Sequence, residues 1–244
     1  LIFIFYIQSK NIVIDQNIEH STEISSVLQQ NISERYKDIS NLMLYTGYHG
    51  SISDFLNADT NLERYHASQD VADLFQLIDN TQTGIYDLYI TDNRGRVFYQ
   101  YGYTNVKLHS SGLENNNGQI YYDGLTKITT STNTSVKVFV FRMNISSVGS
   151  GAPIGEKIGY LTVLLDANFI NLTVKKLPDL SKTDIFLIER DNNIFTRLSS
   201  SGLTLSEKDI KAIENIDESP VLYTIKGNKY LFSLRPIQIG RAHV

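Results

Sequence analysis

Cysteine is absent from this 244-residue chain, and so is tryptophan. The first absence removes disulfide frameworks, thiolate metal sites and cysteine nucleophiles together. A long basic run is also missing, and 22 Lys+Arg stand against 26 Asp+Glu for a net charge of −4. That balance excludes a nucleic-acid binder that works by neutralising many phosphates, while small anionic partners stay open. The histidines His20, His49, His66, His109 and His243 lack the spacing of a zinc helix, and neither a Gly-x-Ser-x-Gly elbow nor a phosphate loop occurs. What is present is ordinary globular material, 41% hydrophobic and 20% charged, enough for a sizeable core in one or two domains.

Both ends are unusual. Leu1-Ile2-Phe3-Ile4-Phe5-Tyr6-Ile7 is an apolar run much shorter than the roughly 20 residues that cross a bilayer. It reads as the last turns of a membrane helix over residues 1–9, with a buried strand as the alternative. No Ala-x-Ala-type cleavage site follows, so an uncleaved anchor fits better than a signal peptide. At the other end, residues 239–244, Ile-Gly-Arg-Ala-His-Val, read as one translated frame of a sequencing adapter. On that expectation Arg241 and His243 carry no biological meaning and the natural sequence continues past Gln238. A natural terminus is the alternative.

Between the ends, residues 10–46 contain neither Gly nor Pro, and Ile14, Ile18, Val27, Leu28, Ile32, Tyr36, Ile39 and Met43 recur mostly at steps of three and four. This pattern predicts one long amphipathic helix, a stalk that becomes the spine of a folded module and ends near Gly47 and Gly50. Thr60-x-x-Glu63 is a capping box that opens a second helix carrying Leu62, Tyr65, Ala72, Phe75 and Ile78.

After Asn80 the period changes to that of strands. Residues 85–91 and 96–101 form a predicted hairpin about the turn Asp92-Asn93-Arg94-Gly95. Strands are expected over 136–145 and 156–166, flanking a Gly/Ser loop whose Gly149-Ser150-Gly151 reads as ordinary loop chemistry, and then a helix over 167–177. Pro178 marks a boundary. Beyond it come strands over 184–190 and 194–198 about Asp191-Asn192-Asn193, a helix over 205–216, and strands over 221–225 and 230–237. The sequence Ile90-Thr91-Asp92-Asn93 has an echo in Glu189-Arg190-Asp191-Asn192, consistent with two related modules. Asp87 and Asp92, lying on the hairpin and its turn, read as solvated surface rather than acid–base machinery. The sequons at Asn31, Asn133, Asn144 and Asn171 carry no functional weight in so Asn-rich a chain.

The whole order of elements, with Ile-Tyr-x-Leu-Tyr-Ile-Thr-Asp-x-x-Gly-x-Val at 85–97 and Gly159-Tyr160-Leu161-Thr162-Val163-Leu164-Leu165-Asp166, resembles the double Cache, PAS-like sensor regions of bacterial membrane receptors. The resemblance implies an α+β fold: a long N-terminal helix with two PAS-like modules on antiparallel sheets, a distal one over 47–177 and an incomplete proximal one over 178–238. It is nearest to sensor histidine kinases, in which a HAMP linker and kinase domains follow. It implies a sensor outside the cytoplasm, itself without catalysis, on a parent that is a histidine protein kinase. The implied partners are a small-molecule ligand, the membrane and a second copy of the parent; no cofactor and no metal are implied.

In amino-acid-sensing relatives an Arg-x-Trp pair holds the ligand carboxylate, with a Tyr-x-Asp and a strand-terminal Asp for the ammonium. Tyr121-Tyr122-Asp123 is similar to the second element and Asp166 to the third. The first cannot be met without tryptophan, and Arg142 is the substitute candidate because its guanidinium can pair bidentately with an anion; a plain salt bridge is the other reading. The expected ligand set is therefore Tyr121, Asp123, Arg142 and Asp166. Seven of the 15 tyrosines fall between Tyr86 and Tyr122, suiting either a pocket of polar-tipped rings or ordinary packing. The same module on a chemoreceptor, or a surface adhesion module that binds no small molecule, are the competing functions.

Overall fold

The computed structural model describes residues 2–99, 120–129, 133–149, 152–170, 184–188, 194–198, 203–214 and 220–235, with the side chains of residues 2–13, 99, 187, 194–198 and 214 outside that description. The described residues fall into two compact units, Arg35–Phe169 in one and Leu1–Glu34 with Ile170–Gln238 in the other. The fold is α+β, with a long N-terminal helix and antiparallel sheet.

Helix α1 runs over Ile2–Gly47. Its backbone is already helical through the opening apolar run, which removes the strand alternative there. Among the described residues no helix is long and apolar enough to cross a membrane. The side chains of this opening run, Phe3 and Phe5 among them, lie outside the described ones. Ile24, Leu28 and Ile32 are buried in one unit and Ile39, Leu42 and Met43 in the other, as the helical period dictates, while Val27 lies at the surface.

A short helix α2, Gly50–Asn57, follows, capped by the Nδ1 of His49, which accepts from the Ser51 N–H at 3.4 Å. Helix α3, Asn61–Thr81, begins at the capping box: the Glu63 N–H donates to Thr60 Oγ1 at 3.2 Å and the Thr60 N–H to Glu63 Oε2 at 3.1 Å. Its buried stripe is Ala67, Val71, Leu74, Phe75 and Ile78, whereas Leu62, Tyr65 and Ala72 are exposed. At about 100° per residue the last three fall on the opposite side of the helix from that stripe, so apolar content alone misplaces the face.

The sheet of this unit contains β1 (Ile85–Asp92), β2 (Val97–Tyr99), β3 (Ile120–Thr129), β4 (Ser135–Ser146) and β5 (Lys157–Asp166), in the spatial order β2-β1-β5-β4-β3, all antiparallel. The β1–β2 turn is closed by Gly95 at φ +78°, a conformation that suits glycine. One face carries Phe98, Ile90, Leu161, Phe141 and Met143 and packs under the helices: Phe98 lies 5.3 Å from Phe55 and 5.6 Å from Phe75 by ring centroids, and Tyr36 lies 5.8 Å from Phe141. Gly159, on the same face, sits against the Thr91 carbonyl and Leu56.

Asp87 and Asp92 are not solvated surface; they are 0% and 2% exposed. Asp92 closes the hairpin from inside, its Oδ1 accepting from the Arg94 N–H at 2.9 Å and the Arg96 N–H at 2.7 Å, its Oδ2 paired with Arg96 and 3.8 Å from Arg64. The turn wraps around the carboxylate, which is why a polar residue can be buried there.

In the other unit, hairpins β6 (Ile185–Ile188) with β7 (Ile194–Leu198) and β8 (Val221–Ile225) with β9 (Asn228–Phe232) flank α4 (Glu207–Glu214), whose Ile210 and Ile213 are buried. Ser206 caps α4, accepting from the Asp209 N–H at 3.3 Å. Ser25 of α1 meets Ser233 at 2.8 Å between hydroxyls. The predicted turn 191–193, the echo residues Glu189 and Arg190, and most of the predicted helix 167–177 lie outside the described residues, although Asn168, Phe169 and Ile170 are helical.

Candidate functional site

Paired residues of neighbouring antiparallel strands point to the same face. On the face turned away from the helices, the register aligns Tyr121 of β3 with Arg142 of β4, Arg142 with Thr162 of β5, and Thr162 with Tyr89 of β1. One polar row therefore crosses four strands. The row beside it holds Asn144, Tyr160 and Thr91.

Burial makes this row unusual. Arg142 sits in an interior strand and its side chain is only 3% exposed; the charge is held by Asp123, whose Oδ2 accepts from Arg142 Nη2 and whose side chain is 34% exposed. Thr162 is 0% exposed, and its Oγ1 has no hydrogen-bond partner among the described residues. A buried hydroxyl without a partner forfeits its hydration with nothing in return, as the hydroxyls of Ser40 and Thr46 on α1 also do among the described residues.

On the other side of the row lies an apolar patch of Val138, Val140, Leu164 and Ile128, with Tyr89 at its border. Beyond the patch is an acidic end. Asp87 is level with Leu164, and Asp166 is level with Val138. Asp166 Oδ1 accepts from the Asn168 N–H at 2.8 Å, and its own N–H donates to the Gly84 carbonyl at 2.9 Å. Tyr86 belongs to this end: burial first, then the carboxylates of Asp87 and Asp166, push its phenol above the ordinary tyrosine value.

Of the four expected ligand residues, Tyr121, Asp123 and Arg142 come together. Asp166 shares their face but lies four residues along β5 from Thr162, about 13 Å at ~3.3 Å per residue. Thr162, Asn144 and Asp87 were not foreseen. Thr162 had a signal, as the single polar residue between Leu161 and Leu165; its place opposite Arg142 depends on register, which a single strand does not encode. Asn144, one of the sequons, is buried within β4. The arrangement offers guanidinium, hydroxyl and carboxylate groups for hydrogen bonding and charge complementarity. Among the described residues no group of three His, Asp or Glu could hold a metal ion.

No protein-family model matches the chain. No curated protein matches it either. Among solved structures it is similar to a domain of a protein described as a sensory box/GGDEF family member from Vibrio parahaemolyticus, with 12% identity, a TM-score of 0.44 and 66% of each chain covered. It is also similar to the extracellular domain of a protein described as a histidine kinase, with 11% identity, a TM-score of 0.48, and 64% of this chain and 60% of the other covered. The chain thus spans less than two-thirds of the length of either solved chain.

Proposed function

We propose that this chain is the ligand-sensing region of a membrane-anchored signalling protein, placed outside the cytoplasm, whose parent is a dimeric histidine kinase. The observation that carries the reading is the polar row in which buried Arg142 and Thr162 and half-buried Tyr121 align across three adjacent strands on the face opposite the helices. A sheet face built only for packing gains nothing from burying an arginine beside a threonine hydroxyl that has no partner among the described residues, whereas a binding site uses both. The ligand is a small polar molecule, and the chain itself binds rather than catalyses. For binding to become a signal, the occupant must favour one of two arrangements of the protein, since equal affinity for both shifts nothing.

A thermal-shift screen of the chain against a broad panel of small metabolites tests the reading, because a ligand that binds only the folded state raises its melting temperature. The expected result is stabilisation by a chemically related subset, lost in Arg142→Met and Thr162→Val. Stabilisation that survives both substitutions places binding elsewhere. A panel without effect favours a surface module that senses nothing small.

A further inference from the structure

Among the described residues the chain passes between its two compact units twice, at Glu34/Arg35 within α1 and at Phe169/Ile170 after β5. Close to each passage, a residue of the sheet-bearing unit is bonded to the same short turn. That turn is Thr83-Gly84, between α3 and β1. The Nη2 of Arg35, the first residue after one passage, donates to the Thr83 carbonyl. The N–H of Asp166, just before the other, donates to the Gly84 carbonyl at 2.9 Å.

The turn is shaped for this. Gly84 has φ +81°, a left-handed conformation that glycine adopts without strain, and a Cβ at this position would lie 3.4 Å from Arg35 Nη2. Arg35 is half-buried, and burial lowers its guanidinium pKa while Asp38, three residues further along α1, opposes that shift. A long cationic side chain that gives up part of its hydration for a backbone carbonyl is positioned rather than merely solvated.

We infer that Arg35 is a latch, tying the α1 segment that begins there to the Thr83–Gly84 turn, and through that turn to the end of β5, so that the two points where the chain leaves this unit shift together. Because Asp166 also forms the acidic end of the candidate ligand face, an occupant that engaged its carboxylate would bear on the same turn. The latch itself does not depend on the ligand reading.

Residue-resolved amide hydrogen exchange on the full chain tests it. In Arg35→Gln and Arg35→Met the Asp166 amide is expected to exchange at least tenfold faster than in the unsubstituted protein, while the Leu161 and Val163 amides in mid-β5 keep their protection. Arg35→Lys, which retains a charged donor, restores part of the protection at Asp166. Gly84→Ala reproduces the acceleration, and the Arg35→Gln/Gly84→Ala double variant shows no more than the larger single effect. Unchanged exchange at Asp166 in Arg35→Gln overturns the latch. Acceleration spread evenly along β5 also overturns it, since that pattern is general loosening.

Discussion

The guanidinium of Arg142 and the carboxylate of Asp123 meet across the β3–β4 ladder with unequal shares of water, the cation almost wholly buried and the anion one-third exposed. Removing the two partners should therefore have unequal costs. Asp123→Ala leaves a buried cation without its partner, at about 2–3 kcal/mol; Arg142→Met removes the buried charge and leaves an aspartate that water can reach, at about 1 kcal/mol. The double variant should resemble Arg142→Met alone. Urea denaturation of the four proteins checks this, and equal or additive costs would contradict it.

Asp92 should make stability depend on pH. Burial acts to raise its pKa, but the backbone N–H and guanidinium of Arg96, the Arg94 N–H and the Arg96 charge outweigh that, so the carboxyl lies below its ordinary range. A depressed folded value means the contribution is complete above the unfolded carboxyl's value of about 3.9 and is lost as pH falls through the folded one. Asp92→Asn should cost about 1–3 kcal/mol at neutral pH, with the gap to wild type closing in acid. Denaturation midpoints measured from pH 7 down to pH 2 show whether the curves converge.

Two glycines of the sheet-bearing unit should respond differently to alanine. A Cβ on Gly159 would meet the Thr91 carbonyl, a rigid part of the neighbouring strand; a Cβ on Gly47 would meet the Cε of Met143, the far end of a flexible side chain. Gly159→Ala is expected to cost at least the ~1–3 kcal/mol of an overpacked core. Gly47→Ala should stay near neutral, because alanine gains about 0.8–1 kcal/mol of helix propensity while methionine moves aside. Thermal unfolding of the two variants would separate them, and a milder effect at Gly159 would refute the steric account.

Ile32 is buried on α1, three residues before Arg35. Proline there removes a helical hydrogen bond and crowds the preceding turn, at a cost of about 3 kcal/mol or more. Ile32→Pro should lower the helical circular dichroism while the β1–β5 sheet keeps its protected amides. Loss of that protection would show that the sheet relies on α1 upstream of Arg35.

Legibility in the sequence followed the locality of the interactions. The α3 cap, the β1–β2 turn and strands β4 and β5 are encoded by neighbouring residues and could be read directly. Strand β3 was harder, because Gly124, at φ +94°, sits where the register shifts between Tyr122 and Leu125 and breaks the alternation that marks a strand. The buried state of Asp87 and Asp92 was hidden for a different reason: Asp92 depends on donors brought by the turn and by α3, and Asp87 on the N–H of Leu88 and the strands beside it, which no periodicity reveals. At the site, Arg142 and Asp123 could be nominated singly, but the row through Thr162 arises from the register of β5 against β4 and against β1, the latter well apart from it in the chain.

The position of β5 between β1 and β4 sets an order of events during synthesis. The β1–β2 and β3–β4 hairpins are local and can form as soon as they emerge, yet β1 and β4 become neighbours of a common strand only when residues 157–166 arrive. Until then each hairpin presents an unsatisfied edge of the kind that recruits other chains. A nascent polypeptide stalled before Lys157 is thus a natural client for chaperones, and fragments that stop short of Asp166 should collect in inclusion bodies.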